Sequence, residues 1–323
     1  MGIPRPWIAV IVLVVATLLA GTALLVAAPG VLAPVASPTP RVSPAGELAA
    51  ASPGTPGESP RAAPSLTCGP SSLVVARPSP SAGASAPLSP RPSAPPGFSL
   101  RVPILMYHRI VPPAEAGNSL PSLVVPPEVF AAQMAALDAA GWRTVTAAQL
   151  AADLAAGRVP AAHTFVVTFD DGYDDGYRYA LPVLQAHHFV ATYYIVPGRI
   201  GNPIVLTADH VRALTAAGME IGDHTMNHVD LPHLTGAALS YQVAGAADRI
   251  AALTGQLPTT FAYPFGAEDP AVVRLVASCA FQLAVTNVEG VGETWAGRFL
   301  VPRLRVGPGT TPDQLVRLLA PYQ

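Results

Sequence analysis

The chain has 323 residues and not one lysine: all 18 of its basic residues are arginine. Without an amine on a flexible stem there is no P-loop ATPase, no Schiff-base or pyridoxal enzyme, no Ser-Lys hydrolase and no lysine-dependent kinase. Charge of either sign is scarce, at 12% of residues, and the formal net charge is −2. The region from residue 101 onward carries 13 arginines against 18 acids, and it contains no basic run. Such a region is a poor nucleic-acid binder; a neutral or cationic partner suits it better. Cysteine is nearly absent. Cys68 and Cys279 are the only two, too few for a cysteine-rich zinc site. A disulfide between them needs an oxidising compartment and is not established by sequence, so the starting expectation is two unbonded cysteines.

What is present falls into three segments. Residues 1–28 hold a nearly pure run of Ile, Val, Leu and Ala from Trp7 to Ala28, preceded by Arg5. It is long enough to span a bilayer, with its N-terminus in the cytoplasm. We read it as an uncleaved transmembrane anchor, the alternative being a secretory signal cleaved after Ala33 or Ala36. Either way the rest of the chain is exported, anchored at the cell membrane or secreted. Residues 29–100 are mostly Pro, Ser, Ala and Gly, with 17 prolines between Pro29 and Pro96. This segment lacks the apolar bulk needed to offset the entropy of ordering, and is expected to be a disordered, semi-stiff linker acting as a stalk.

Residues 101–323 form the head. Short apolar or β-branched runs occur at 103–107, 143–145, 164–169, 190–196, 219–222, 260–263, 282–286 and 301–306, with helical stretches between most of them. Thr146 with Gln149 forms a capping box, Gly157 ends that helix, Thr207 and Gly218 bracket another, and Pro312 follows Thr311 at a helix start. Eight strands alternating with helices predict an α/β fold, a distorted (β/α) barrel; an open doubly wound sheet lacks its Gly-rich phosphate loop here.

In a barrel the chemistry gathers at the strand ends. One strand runs into Asp170-Asp171-Gly172, and adjacent carboxylates need a cation or a shared proton. Another runs into His224 and His228, which share a face if that loop makes a helical turn. One aspartate and two histidines make a three-ligand set with an open position, as in catalytic zinc sites. Thr260–Gly266 reads TFAYPFG, a strand ending in a tight turn whose backbone N–H groups can face an oxyanion. His108 follows the first strand on the same rim. The bland alternatives are a core role for a lone histidine and a helix start for Asp174 and Asp175. His163, His187, His188, His210 and His233 are read as surface, loop or helix-end residues. Among the aromatics Tyr173 is the foremost candidate to meet substrate, and Trp142 and Trp295 are ambiguous.

TFDDG at 168–172, HTMNH at 224–228 and the YPFG turn, in that order, resemble the polysaccharide deacetylase family with its NodB-homology domain. The resemblance spans about residues 102–306. It implies a divalent metal, most often Zn2+ with Co2+ or Ni2+ as alternatives, and hydrolysis of N-acetyl groups on glycans. It implies Asp170 as general base, Asp171, His224 and His228 as metal ligands, and the Phe265 backbone at the oxyanion. No histidine follows His233 to serve as acid, but PILMYHRI is similar to the family's late acid motif, as in a permuted branch of exported poly-N-acetylglucosamine deacetylases, which makes His108 the acid. An arginine that many members pair with the base is replaced by Ala262; Arg303 and Arg305 are the candidates to supply its charge. The expectation is a membrane-tethered deacetylase acting on an N-acetylated glycan polymer, with no protein or nucleic-acid partner. Its rivals are a non-catalytic carbohydrate-binding head and an O-acetyl esterase of the same fold.

Overall fold

In the computed structural model the described residues are Leu66, Cys68 and 94–322. The hydrophobic run of residues 7–28 and most of the linker lie outside them. Among the described residues no helix is long and apolar enough to cross a membrane.

Eight strands make the main sheet: β1 (Ile104–Tyr107), β2 (Arg143–Thr144), β3 (Thr164–Phe169), β4 (Thr192–Ile195), β5 (Glu220–Asp223), β6 (Thr260–Ala262), β7 (Leu283–Glu289) and β8 (Val301–Arg305). The helices are α1 (Pro127–Ala139), α2 (Ala147–Ala156), α3 (Leu181–Ala186), α4 (Ala208–Ala216), α5 (Gly236–Ser240), α6 (Ala246–Thr254), α7 (Pro270–Ser278) and α8 (Pro312–Leu319). All pairings in this sheet are parallel, in the order β1-β8-β7-β6-β5-β4-β3, and β3 returns to β1 to close a seven-stranded barrel. The eighth run of the sequence, β2, pairs only with the first residues of β3, whose last residues pair with β4. It is wedged into the lower seam between them. The distortion expected of the barrel is thus one strand too short to span the wall, together with a register shift between β7 and β8.

Strands buried on both faces read as continuous apolar runs rather than alternating ones, and β3, TFVVTF, is buried at all six positions. Alternation survives as a division of labour, because successive side chains point to opposite faces. Ile104, Val166, Tyr194, Ala262, Leu283, Val285 and Val301 form one cluster, inside the barrel. Leu105, Tyr107, Val167, Phe169, Tyr193, Ile195 and Ile221 join a second, beneath the helices. Extending the inward parity past the strand ends puts His108, Asp170, His224 and Arg303 on the inward face. At the opposite end the same parity supplies a polar floor: Glu220 accepts from Thr192 Oγ1 at 2.8 Å, Thr260 Oγ1 at 2.5 Å and the Ala148 N–H at 2.8 Å.

The expected capping box at Thr146 is formed, and the helices that start after Thr207 and Thr311 carry capping boxes as well. The cysteines depart from expectation: Cys68 is disulfide-bonded to Cys279. The physical reason lies beside the bond, where Leu66 is buried in the same apolar cluster as Val272, Val276, Cys279 and Phe281, and its N–H donates to Asp248 Oδ1 at 2.6 Å. A piece of the proline-rich segment is therefore pinned to the outside of the barrel. Closing a 211-residue separation in the unfolded chain removes much of its entropy. Cys68→Ser is expected to lower the free energy of urea unfolding by about 5 kcal/mol.

Glu293 lies in a two-residue strand (Glu293–Thr294) paired antiparallel to Ser99–Leu100, and is fully buried. Its Oε2 accepts the Val102 N–H at 3.1 Å, and its Oε1 has no hydrogen-bond partner among the described residues. Burial pushes its carboxyl up to about 7, against the partial pull of that backbone hydrogen bond. With the folded pKa above the unfolded one, the native state holds the extra proton. This contribution is complete below pH 4.5 and lost as pH rises through about 7. Chemical denaturation from pH 4.5 to 8 should show a loss of about 3 kcal/mol that Glu293→Gln abolishes.

Candidate active site

Asp170 and Asp171 follow directly after β3 and take different backbone conformations. Asp170 keeps the inward parity and is 2% exposed; Asp171 takes a left-handed backbone (φ 73°), which breaks the alternation of the strand. Gly172 follows with φ 69°, and a Cβ there would lie 3.3 Å from the Ile195 backbone, so the turn needs glycine on both counts.

Of the two arginines, it is Arg303 that holds Asp170. Its Nη1 donates to Asp170 Oδ1 at 2.8 Å and its Nη2 to Oδ2 at 2.7 Å. The remaining donors reach the Thr286 carbonyl from Nε at 2.9 Å, Thr168 Oγ1 at 3.0 Å and Asn287 Oδ1 at 3.2 Å. Arg305 shares the face but is exposed. Burial pushes the Asp170 carboxyl up, but Arg303, through charge and hydrogen bonds, and then His224 and His108 pull it further down, to below the ordinary carboxylate range. Asp170 is therefore an ionised carboxylate with a fixed orientation.

The His224–His228 segment is not the helical turn its spacing suggests. Thr225 (φ 64°) and His228 (φ 57°) are left-handed, and the loop doubles back. It is held by Asp223 Oδ1, which accepts the Thr225 N–H at 2.7 Å, by Thr225 Oγ1, which accepts from His228, and by Gln242, which accepts the N–H groups of Met226 and Asn227. Gly198 allows close docking from the other side: its N–H reaches the Met226 carbonyl at 2.9 Å, and a Cβ would lie 2.4 Å from that oxygen. The result still brings both imidazoles to one carboxylate. Nε2 of His228 lies 3.0 Å and Nε2 of His224 3.4 Å from Asp171 Oδ1. The ligand atoms of the three residues all lie within 4.8 Å of one another.

The chemistry of this donor set calls for a cation. His224 Nδ1 lies 2.7 Å from the Ala262 carbonyl, which can only accept, so Nδ1 carries hydrogen and the neutral ring turns a bare Nε2 lone pair to a carboxylate oxygen. Two acceptors face each other in a buried place, and a proton or a metal must lie between them. The titration tendencies agree: burial pushes Asp171 up and His224 down, but their mutual hydrogen bond and charge reverse both, leaving Asp171 far below and His224 above its ordinary value. The three residues fit a divalent metal.

His108, just past β1, is partly buried on the same rim. Burial lowers its pKa, the Asp170 and Asp171 carboxylates raise it, Arg303 and Arg305 lower it again, and the net direction is down. The neutral imidazole is thereby favoured, whereas an acid role requires the protonated form. Phe265 occupies the tight turn after β6 with φ 60° and ψ 1°, and its exposed ring stands edge-on to His228 at 4.5 Å. Tyr173 is half-buried, bridged to Val205 through its backbone, with the Arg109 guanidinium 4.3 Å from its ring centre. Asp175 stands at the start of the helical stretch from Gly176, as the sequence offers, and is also fully buried in an ion pair with Arg109. Asn287, Arg109 and Asp175 carry no sequence signal beyond polarity. Arg303→Leu would strand the Asp170 charge, with an expected cost of about 4 kcal/mol in urea unfolding; Arg303→Lys, keeping the charge without the fork, should cost less.

Residues 157–284 match the family model described as polysaccharide deacetylase, a segment that includes Asp170, Asp171, His224, His228 and Phe265 but neither His108 nor Arg303. The chain is 31% identical over 209 residues to YxkH of Bacillus subtilis, which carries a polysaccharide deacetylase name; the match covers 65% of this chain and 72% of that protein. Among solved structures, the Streptococcus pyogenes deacetylase PplD in complex with acetate superposes with a TM-score of 0.63 at 27% identity, covering 68% of this chain and 97% of the other. A polysaccharide deacetylase from Bacillus cereus gives 0.61 at 27% identity, covering 68% and 69%.

Proposed function

The chain belongs to the polysaccharide deacetylase family, and from this we propose that it is a metal-dependent hydrolase of N-acetyl groups on an N-acetylhexosamine polymer outside the cytoplasm. The observation that carries the reading is the pairing of an oriented, ionised Asp170 with an adjoining Asp171–His224–His228 cluster whose donor atoms fit a divalent cation.

Asp171 Oδ1 and the Nε2 atoms of His224 and His228 are the ligands, and zinc suits them best, with cobalt or nickel compatible. A divalent metal there supplies Lewis acidity and positive charge to the reacting amide. The protein's own groups divide the remaining work. Asp170 accepts a proton from the attacking water; Arg303 keeps it ionised, at the cost of some basicity, and fixes its oxygens. The Phe265 N–H, on a turn held by the Gly266 N–H to Tyr263 carbonyl bond at 2.9 Å, is the donor to the developing oxyanion. His108 protonates the departing amine. Its depressed pKa makes the protonated form a strong acid and a minority species at neutral pH. Tyr173 borders the substrate.

His108 precedes Asp170 in sequence yet reaches the same rim, which supports the permuted-branch assignment and with it a poly-N-acetylglucosamine-like substrate. Acetate, bound in the Streptococcus pyogenes relative, is the product that deacetylation releases. The Cys68–Cys279 bond suits an oxidising, extracytoplasmic setting, and the apolar run of residues 7–28 suits a membrane anchor followed by a stalk.

The test uses the full chain, stripped with a chelator and reloaded with zinc, and follows acetate release from N-acetylglucosamine oligomers. We expect release only with metal, and losses of about 100-fold or more for Asp170→Asn and for His108→Ala. Zinc bound stoichiometrically with no release from any linkage would favour a binding head, release from O-acetyl esters alone an esterase, and no zinc uptake would remove the site.

A further inference from the structure

The proposed acid is tied to the loop of the proposed base on both sides. Before His108, the Tyr107 carbonyl accepts the Asp170 N–H at 3.0 Å, continuing the β1–β3 register. After it, Arg109 and Ile110 both reach Asp175, four residues beyond Asp171: Arg109 Nε donates to Asp175 Oδ2, and the Ile110 N–H donates to Oδ1 at 2.9 Å. The same guanidinium donates from Nη1 to Ser119 Oγ at 2.5 Å and lies over the Tyr173 ring. One side chain thus joins three rim segments, 108–110, 113–123 and 171–175.

Stability does not account for this arrangement. Arg109 is 1% exposed and Asp175 not at all, and removing two charges from water costs about as much as their attraction returns, so an apolar pair of similar volume would hold the fold at least as well. Burial pushes the Asp175 carboxyl above its ordinary value even with Arg109 bonded to it. What the ion pair adds over an apolar pair is direction, through a charged fork, a bidentate carboxylate and a stacked ring whose geometries are specific.

We infer that the buried Arg109–Asp175 pair is a positioning device for the reaction, fixing His108 at its working distance from Asp170 and holding Tyr173 upright at the rim. Neither residue is catalytic. The pair acts through His108, and the inference rests on the reading of His108 as the acid. With the second tie cut, His108 can pivot about the first, and a misplacement of about 1 Å in a proton donor is enough to cost about 100-fold in rate.

The experiment is a mutant cycle on the zinc-loaded full chain, with acetate release from an N-acetylglucosamine oligomer as the readout. The double variant Arg109→Met/Asp175→Leu removes both charges together and leaves neither stranded. We expect it to keep its thermal midpoint and zinc stoichiometry, to change KM by less than about two-fold, and to lose about 10- to 100-fold in kcat. Placed on His108→Ala, it should cost less than about two-fold more, because the group it positions is already gone. If the double variant does not fold, Arg109→Lys, which keeps the charge and drops the fork, carries the same cycle. An unchanged kcat, or a loss that multiplies on top of His108→Ala, overturns the inference and leaves the acid assignment standing. A full kcat for His108→Ala alone overturns the acid assignment, and this inference with it.

Discussion

A carboxylate inside a barrel must have a partner, and here the partner comes from the far end of the chain. Asp170 follows directly after β3, Arg303 sits on β8, and they meet because β1 lies between these strands and closes the ring. The pair spans the inward face one layer above the apolar filling. Arg303 also binds Thr168, the Thr286 carbonyl and Asn287, so a single guanidinium fastens β3 to β7 and β8. The charged layer at the top of the barrel can exist only because this side chain neutralises it, and the rest of the rim is arranged around the oriented carboxylate that results.

Next to this pair lies a carboxylate with a different set of partners. Asp171 faces two imidazoles, one of which has its tautomer set by the Ala262 carbonyl. The two adjacent aspartates thus have different electrostatic partners, one a guanidinium supplied by the protein, the other a pair of imidazoles with which it forms a donor set that fits a cation. The division is made by backbone strain. Asp171, Thr225, His228 and Phe265 all adopt left-handed conformations that side chains with a Cβ seldom take, and all four ring the site. Without the left-handed turn at Asp171, both carboxylates would follow the alternation of β3 to opposite faces of the sheet.

Much of this was legible in the chain. Eight apolar runs at the right spacing marked the strands, since strands covered on both faces show unbroken hydrophobicity, and the capping box at Thr146, the Thr207–Gly218 bracket and the Thr311-Pro312 start marked three helices. The paired aspartates and the histidines four apart stood out because charge is so rare here. Other features had no such mark. Arg303 and Arg305 occupy the same face of β8 and differ only in burial, which sequence parity does not show. The histidine spacing suggested a helical turn, but Gln242 and Asp223 hold the loop in a different shape that reaches the same end. Asp175 looked like one more acid before a helix, and its partner Arg109 lies 66 positions away. The disulfide goes with Leu66 joining the apolar cluster that includes Val272 and Val276, in a segment whose composition gives little reason to expect packing.

The sequence by itself determined the kind of chemistry: no lysine, two carboxylates at one strand end, two histidines at another, and a stretch of alternating elements long enough to bring strand ends together. These are local properties, written in composition and in spacings of a few residues. The tertiary structure decided which of those groups are ionised, which way they point and what neutralises them. Such properties depend on charges brought within about 3 Å across the barrel from positions more than a hundred residues apart. Coulomb energies and desolvation are set by those distances and by burial, and neither exists until the ring of strands has closed.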